Sequence, residues 1–176
     1  MVYRVAMRGA VLGVWFVAAC SASRSPAPAT PSVSGSAERI YDTESIGPLR
    51  PGASADAVIA TLGAPRARTA PELEGATAQY ASVWDWADAS CVMVADTPGG
   101  PWSARLITVS GASTLETKRH TRVGSSREEV ERIYPRSPDS DGHDPDTYLV
   151  GSMYAGLLFR FEHDRVASIT FGPLAF

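Results

Sequence analysis

The sequence predicts an α+β fold: two tandem units, each a short helix packed on a three- to four-stranded antiparallel sheet. An internal repeat is the first observation behind this. Arg50-Pro-Gly52-Ala-Ser54-Ala-Asp56-Ala-Val58 aligns without a gap with Arg122-Val-Gly124-Ser-Ser126-Arg-Glu128-Glu-Val130, agreeing at five positions at an offset of 72 residues. Second, each segment is followed by runs of alternating apolar and polar residues, and Ile107-Thr-Val109 matches Ile169-Thr-Phe171 at an offset of 62. Third, 176 residues that are 44% apolar and 20% charged suffice for one domain or two very small ones, which excludes collagen, coiled coil and full disorder. The chain divides into a leader (1–19), a tether (20–40), a first unit (41–114) and a second unit (115–176).

In the first unit, Gly52 permits the turn, Ser54 caps the helix and Asp56 sits in the first turn, where the helix dipole favours an anion. Val58, Ile59 and Leu62 supply the apolar stripe, and Gly63 followed by Pro65 stops the helix. Strands are expected over residues 80–86, 91–95 and 106–110. Lys118-Arg119-His120 reads as a solvated basic linker. In the second unit Gly124 makes the turn, Ser126 and Glu129 form a capping box, and Glu128 joins the first turn. Val130, Ile133 and Tyr134 form the stripe, and Pro135 ends it. Strands follow over residues 148–154, 157–162 and 166–171, with His163-Asp164 as the last hairpin turn. Both helices are short enough that packing must hold them.

The amino terminus carries Arg4 and Arg8 ahead of an apolar run from Ala10 to Ala19, the pattern of an export signal. As a helix the stretch from Gly9 to Ala19 reaches only about 16 Å at 1.5 Å per residue, roughly half a hydrocarbon core. Val17-Ala18-Ala19-Cys20 resembles the lipobox of bacterial lipoproteins, with Val17 where leucine is commoner. The resemblance implies that Cys20 is joined to diacylglycerol, that the leader is removed, and that the new terminus is acylated with a palmitate-type chain. Ordinary secretion, with Cys20 an unmodified residue, is the plainer alternative. Several acyl chains anchor durably where one does so marginally. Residues 21–36, SASRSPAPATPSVSGS, bury too little apolar surface to fold and read as a disordered tether. Ser21 after the cysteine resembles the outer-membrane default. Loss of Arg4 and Arg8 leaves 14 basic against 19 acidic residues, net −5, which gives no footprint for nucleic acid or for adhesion to anionic lipid.

A helix opened by Arg-x-Gly-x-Ser, then a three-stranded meander ending in a V-x-x-I-x-x-G pattern, resembles the small outer-membrane lipoproteins of the barrel-assembly machinery (the BamE or SmpA type). In tandem it is similar to the β-lactamase-inhibitory-protein fold, where two such units share a concave sheet that grips a partner. Both resemblances imply a fold and a binding role, and neither family carries a catalytic residue over to this chain.

Among the chemistry-bearing residues, Cys91 lies in an apolar run and reads as a buried small hydrophobe or, if exposed, a reactive thiol. With Cys20 lipidated, no disulfide is expected. His120, His143 and His163 sit at no metal or catalytic spacing. Asp139, Asp141, Asp144 and Asp146 surround Gly142 and form a solvated acidic loop or a weak calcium candidate, without EF-hand spacing. Tyr80, Trp84 and Trp86 fall on one face of an alternating strand, with Val83 and Asp85 on the other. They fill the core or anchor a partner. No cofactor is implied. The expected function is a lipid-anchored cell-envelope protein, on the outer membrane facing the periplasm, acting as a protein-binding or scaffolding module for another envelope protein. The alternatives are an inhibitor occupying a partner's cleft and, from a different class, a small envelope enzyme.

Overall fold

A computed structural model describes residues 40–135 and 144–175. Besides a helical turn at residues 40–43, two helices and eight strands form within them, most of them where local signals place them. Helix α1, Ala55–Leu62, starts at Ser54, whose hydroxyl accepts from Ala57 N at 3.3 Å, and ends at Gly63. Helix α2, Arg127–Ile133, starts at Ser126, whose hydroxyl accepts from Glu129 N at 3.2 Å. A capping hydroxyl satisfies an amide that the first helical turn leaves without a partner, which is why both short helices begin where they do. Each helix buries one valine completely, Val58 and Val130.

The strands are β1 (Ala67–Arg68), β2 (Glu72–Leu73), β3 (Tyr80–Asp85), β4 (Ala89–Ala95), β5 (Ser103–Ser110), β6 (Thr147–Ser152), β7 (Ala155–Glu162) and β8 (Arg165–Gly172). They make one antiparallel sheet in the order β1-β3-β4-β5-β8-β7-β6, with β2 also on β3. A single sheet of eight strands thus stands where each unit was expected to pack its helix on a three- to four-stranded sheet. The two meanders fuse because β5 pairs with β8, so neither leaves the edge of its last strand open. The short strands β1 and β2 were not expected: their exposed residues flank Pro71 and show no alternation.

The β5–β8 register puts Thr108 opposite Thr170, with their hydroxyl oxygens 3.1 Å apart. These are also the residues that the 62-residue sequence offset equates. Around them the backbone bonds recur. Gly52 N donates to Ala104 O at 2.6 Å, and Gly124 N to Val166 O at 2.8 Å. Ala55 N donates to Trp102 O and Arg127 N to Asp164 O, both at 2.9 Å. In each pair the helix-side residue moves by 72 and the strand-side residue by 62. Irregularities of register fall at matching places too, at Arg105 of β5 and Ala167 of β8. Gly52 and Gly124 have φ of +89° and +90°, a region that a side chain strains, so the turn into each helix requires glycine.

The core lies between the helices and one face of the sheet. Successive residues of a strand point to opposite faces, and the register fixes which rows coincide. Trp84, Cys91, Ile107, Phe171, Leu157 and Val150 line up across six strands on the inner face, all at most 4% exposed. Ala89, Val109, Ile169, Phe159 and Tyr148 form the next row. Val58 and Val130 belong to the same cluster.

Candidate functional site

The outer face of the sheet carries the other half of the alternation. Val83, Val92 and Leu106 lie abreast on β3, β4 and β5. Val83 is 36% exposed, and Val92 and Leu106 are half-buried. None of the three joins the core cluster, and no described helix lies among them. A strap of residues 67–74 runs along β3 and rims an open groove of about 400 Å³, lined by Thr69, Ala70, Ala81, Val83 and Val92. At its end Arg105, at the register irregularity of β5, grips Glu74 through both guanidinium nitrogens, with Nη2 to Oε1 at 2.6 Å. That contact holds the Glu74 carboxyl below its ordinary range. Leu73, on the strap, is 61% exposed.

The aromatic residues singled out from sequence do not form an exposed anchor. Trp84 is 3% exposed, so its reading as a partner anchor is corrected: it is a core residue. The reason is its register opposite Cys91 on the inner face, where its indole N–H donates to Ser82 Oγ at 3.2 Å and Arg68 caps its ring at 3.8 Å. Trp86 lies just past β3, half-buried, its N–H donating to Gly63 O at 2.9 Å. Tyr80 is half-buried at the start of β3, between Ala95 and Leu73. The residues that do face outward, Val83, Val92 and Leu106, escaped notice because alternation defines two faces without saying which one a helix will cover.

Cys91 is a free, buried thiol, 1% exposed, and burial pushes its pKa up to about 12. Such a thiol is no nucleophile at neutral pH. Of the acidic loop, Asp139 and Asp141 lie outside the described residues, as does His143. Asp144 Oδ1 accepts from Asp146 N at 3.0 Å, closing a local turn, and Asp146 lies 3.7 Å from Arg127. Among the described residues no group of His, Cys, Asp or Glu is arranged to hold a metal ion. His120 pairs with Glu116 at 3.2 Å on an exposed turn, and His163 sits at the β7–β8 turn with φ of +53°.

A buried polar network also lay beyond sequence reasoning. Glu44 is fully buried, with Arg119 Nε 2.5 Å from its Oε1, close enough for an ion pair but not aligned as a hydrogen bond. The Tyr134 hydroxyl lies 3.3 Å from Glu44 Oε2 and 2.7 Å from Thr117 Oγ1, and burial raises the Tyr134 pKa above its ordinary value. Tyr148 donates to Tyr134 O at 2.9 Å, and Arg119 lies over the Tyr134 ring. The network ties the chain before α1 to the segment before α2.

No helix among the described residues is long and apolar enough to cross a membrane. No protein-family model, curated protein or solved structure matches the chain.

Proposed function

We propose that this is a lipid-anchored cell-envelope protein whose folded part, two copies of one helix-on-sheet unit, binds another envelope protein through the open face of its sheet. The observation that carries the reading is the inequality of the two faces. One buries the core under both helices, while the other holds Val83, Val92, Leu106 and Leu158 clear of that core. Apolar side chains kept on an open face are what a docking surface needs, and a rigid sheet presents them at little entropic cost. The duplication rests on the paired bonds of Gly52 and Gly124, Ala55 and Arg127, and on the matching places of Arg105 and Ala167. It is the arrangement implied by resemblance to the barrel-assembly lipoproteins and to the β-lactamase-inhibitory fold.

The anchor is Cys20, which lies outside the described residues; its support is the apolar leader and the Val17-Ala18-Ala19-Cys20 box. With the tether that follows, acylation would hold the sheet off an outer membrane within reach of periplasmic partners. Mass spectrometry of the membrane-extracted protein tests the anchor. The expected result is a mature chain beginning at an acylated Cys20, and an unmodified chain in the aqueous fraction would refute it. Photo-crosslinking in intact envelopes tests the module: a probe at Val83 or Leu158 should give one discrete adduct that a probe at the solvent-facing Glu131 does not.

A further inference from the structure

We propose that the docking site is the first half of the open face, the row Val83–Val92–Leu106 with its groove, and that it takes an apolar segment of another protein flanked by lysine or arginine. The inference rests on the module reading above and narrows it. The fold contains its own control. The pairing that joins Val83, Val92 and Leu106 in β3, β4 and β5 recurs for β6, β7 and β8, where Thr147 pairs with Arg160 and Arg160 with Ser168. Leu106 and Ser168 each follow the residue at which the register shifts, Arg105 or Ala167, so the rows occupy equivalent places. A threonine, an arginine and a serine serve the second half, hence folding does not require two valines and a leucine in the first. Val83 is exposed and Val92 and Leu106 are only partly covered, and a contiguous apolar row that the backbone does not demand is what a docking partner would cover.

Charge identifies the chemistry of that cover. By the same alternation Glu72, Asp85 and Asp96 lie on or beside this half of the outer face. Glu74 is also there, and its charge is already matched by Arg105. Arg68, on β1, is turned to the inner face over Trp84. What remains is an apolar row beside the carboxylates of Glu72, Asp85 and Asp96, which favours basic flanks on the occupant and repels acidic ones.

The test uses the full chain and two synthetic peptides with the same valine–isoleucine core, one ended by lysines and one by glutamates, each bearing a photoreactive residue. The lysine peptide should bind, weaken as salt rises, and crosslink to residues 69–106; the glutamate peptide should bind at least about fivefold more weakly. Replacing the row by its counterparts, V83T/V92R/L106S, should cost about tenfold or more in affinity. The single Val83→Lys, at an already exposed position, provides the same reading should the triple variant fail to fold. Native affinity in Val83→Lys, or equal binding of the two peptides, would overturn the proposal. Crosslinks confined to the second half of the open face would overturn it while leaving the module reading intact. A row-dependent dimer of the chain itself would replace the basic partner with a second copy. If neither peptide binds, the proposal fails, and the envelope crosslinks from Leu158 decide the module reading separately.

Discussion

Removing the guanidinium of Arg119 should destabilise the protein far more than neutralising the carboxylate it faces. Glu44 is fully buried, while the Arg119 side chain is 42% exposed. In Arg119→Met the carboxylate stays in the interior with the Tyr134 hydroxyl 3.3 Å away as its remaining polar neighbour there. An uncompensated buried charge costs about 3–5 kcal/mol, and water reaching the vacated side of this pair trims that to about 3. Glu44→Gln removes the charge itself, keeps the volume and leaves Arg119 hydrated, so its cost is about 1 kcal/mol, that of a weakened hydrogen bond. The double variant should match Glu44→Gln closely, giving a coupling of about 3 kcal/mol. Urea unfolding of the four proteins measures it, and for a domain of this size Arg119→Met should also lower Tm by about 10 °C. Additivity within about 0.5 kcal/mol, or a neutral Arg119→Met, would show that Glu44 is not held as a buried anion and would sink the reasoning.

Alkali should unfold the protein in part through Cys91. The thiol rises from 9.0 to about 12 on folding, so its contribution is complete below pH 9 and is lost as pH climbs from there to about 12. Between pH 8 and 10 the native chain should lose about 1.4 kcal/mol that Cys91→Ala does not lose; parallel curves in urea titrations would contradict this. Above pH 10 Tyr41 adds to the loss in both proteins, since burial pushes it from 10.0 to about 12. Gly52→Ala and Gly124→Ala should each cost about 1–2 kcal/mol, because nothing lies within 4 Å of either added Cβ and only the positive φ is strained. Clearly unequal costs at the two glycines would argue against equivalent turns.

What was legible in the sequence is what local chemistry decides. Ser54, Ser126 and the glycines before them fix the helices through bonds spanning three residues, and those helices stand where expected. Alternation likewise located β3 to β8. It could not decide sides: Trp84 lies inward because Cys91 and the helices meet it there, a fact settled by pairing rather than by Trp84 itself. Nor could it join the sheet, since the β5–β8 contact depends on residues 62 apart. Glu44 looked like any solvated acid; its partners Arg119 and Tyr134 are distant in the chain, and only the fold brings them together.

The positions where the two halves agree and those where they differ separate what folding needs from what it leaves free. Val58 and Val130 both vanish into the core, Thr108 and Thr170 meet across the centre, and Ile107 and Ile169 are fully buried; selection for a folded sheet accounts for all of them. Val92 and Arg160 share a backbone environment and differ in every property of the side chain. Folding therefore sets no requirement at that place, and the difference must answer to what touches the surface. A valine there is only partly covered in the unbound protein and gains further once a partner covers the rest of it. An arginine would be costly under the same partner if its flanks were basic. At this one structural position the first half is neutral and the second cationic, so a basic apolar segment of the kind proposed would be steered to the first half by repulsion from Arg160 as well as by attraction to Glu72 and Asp85.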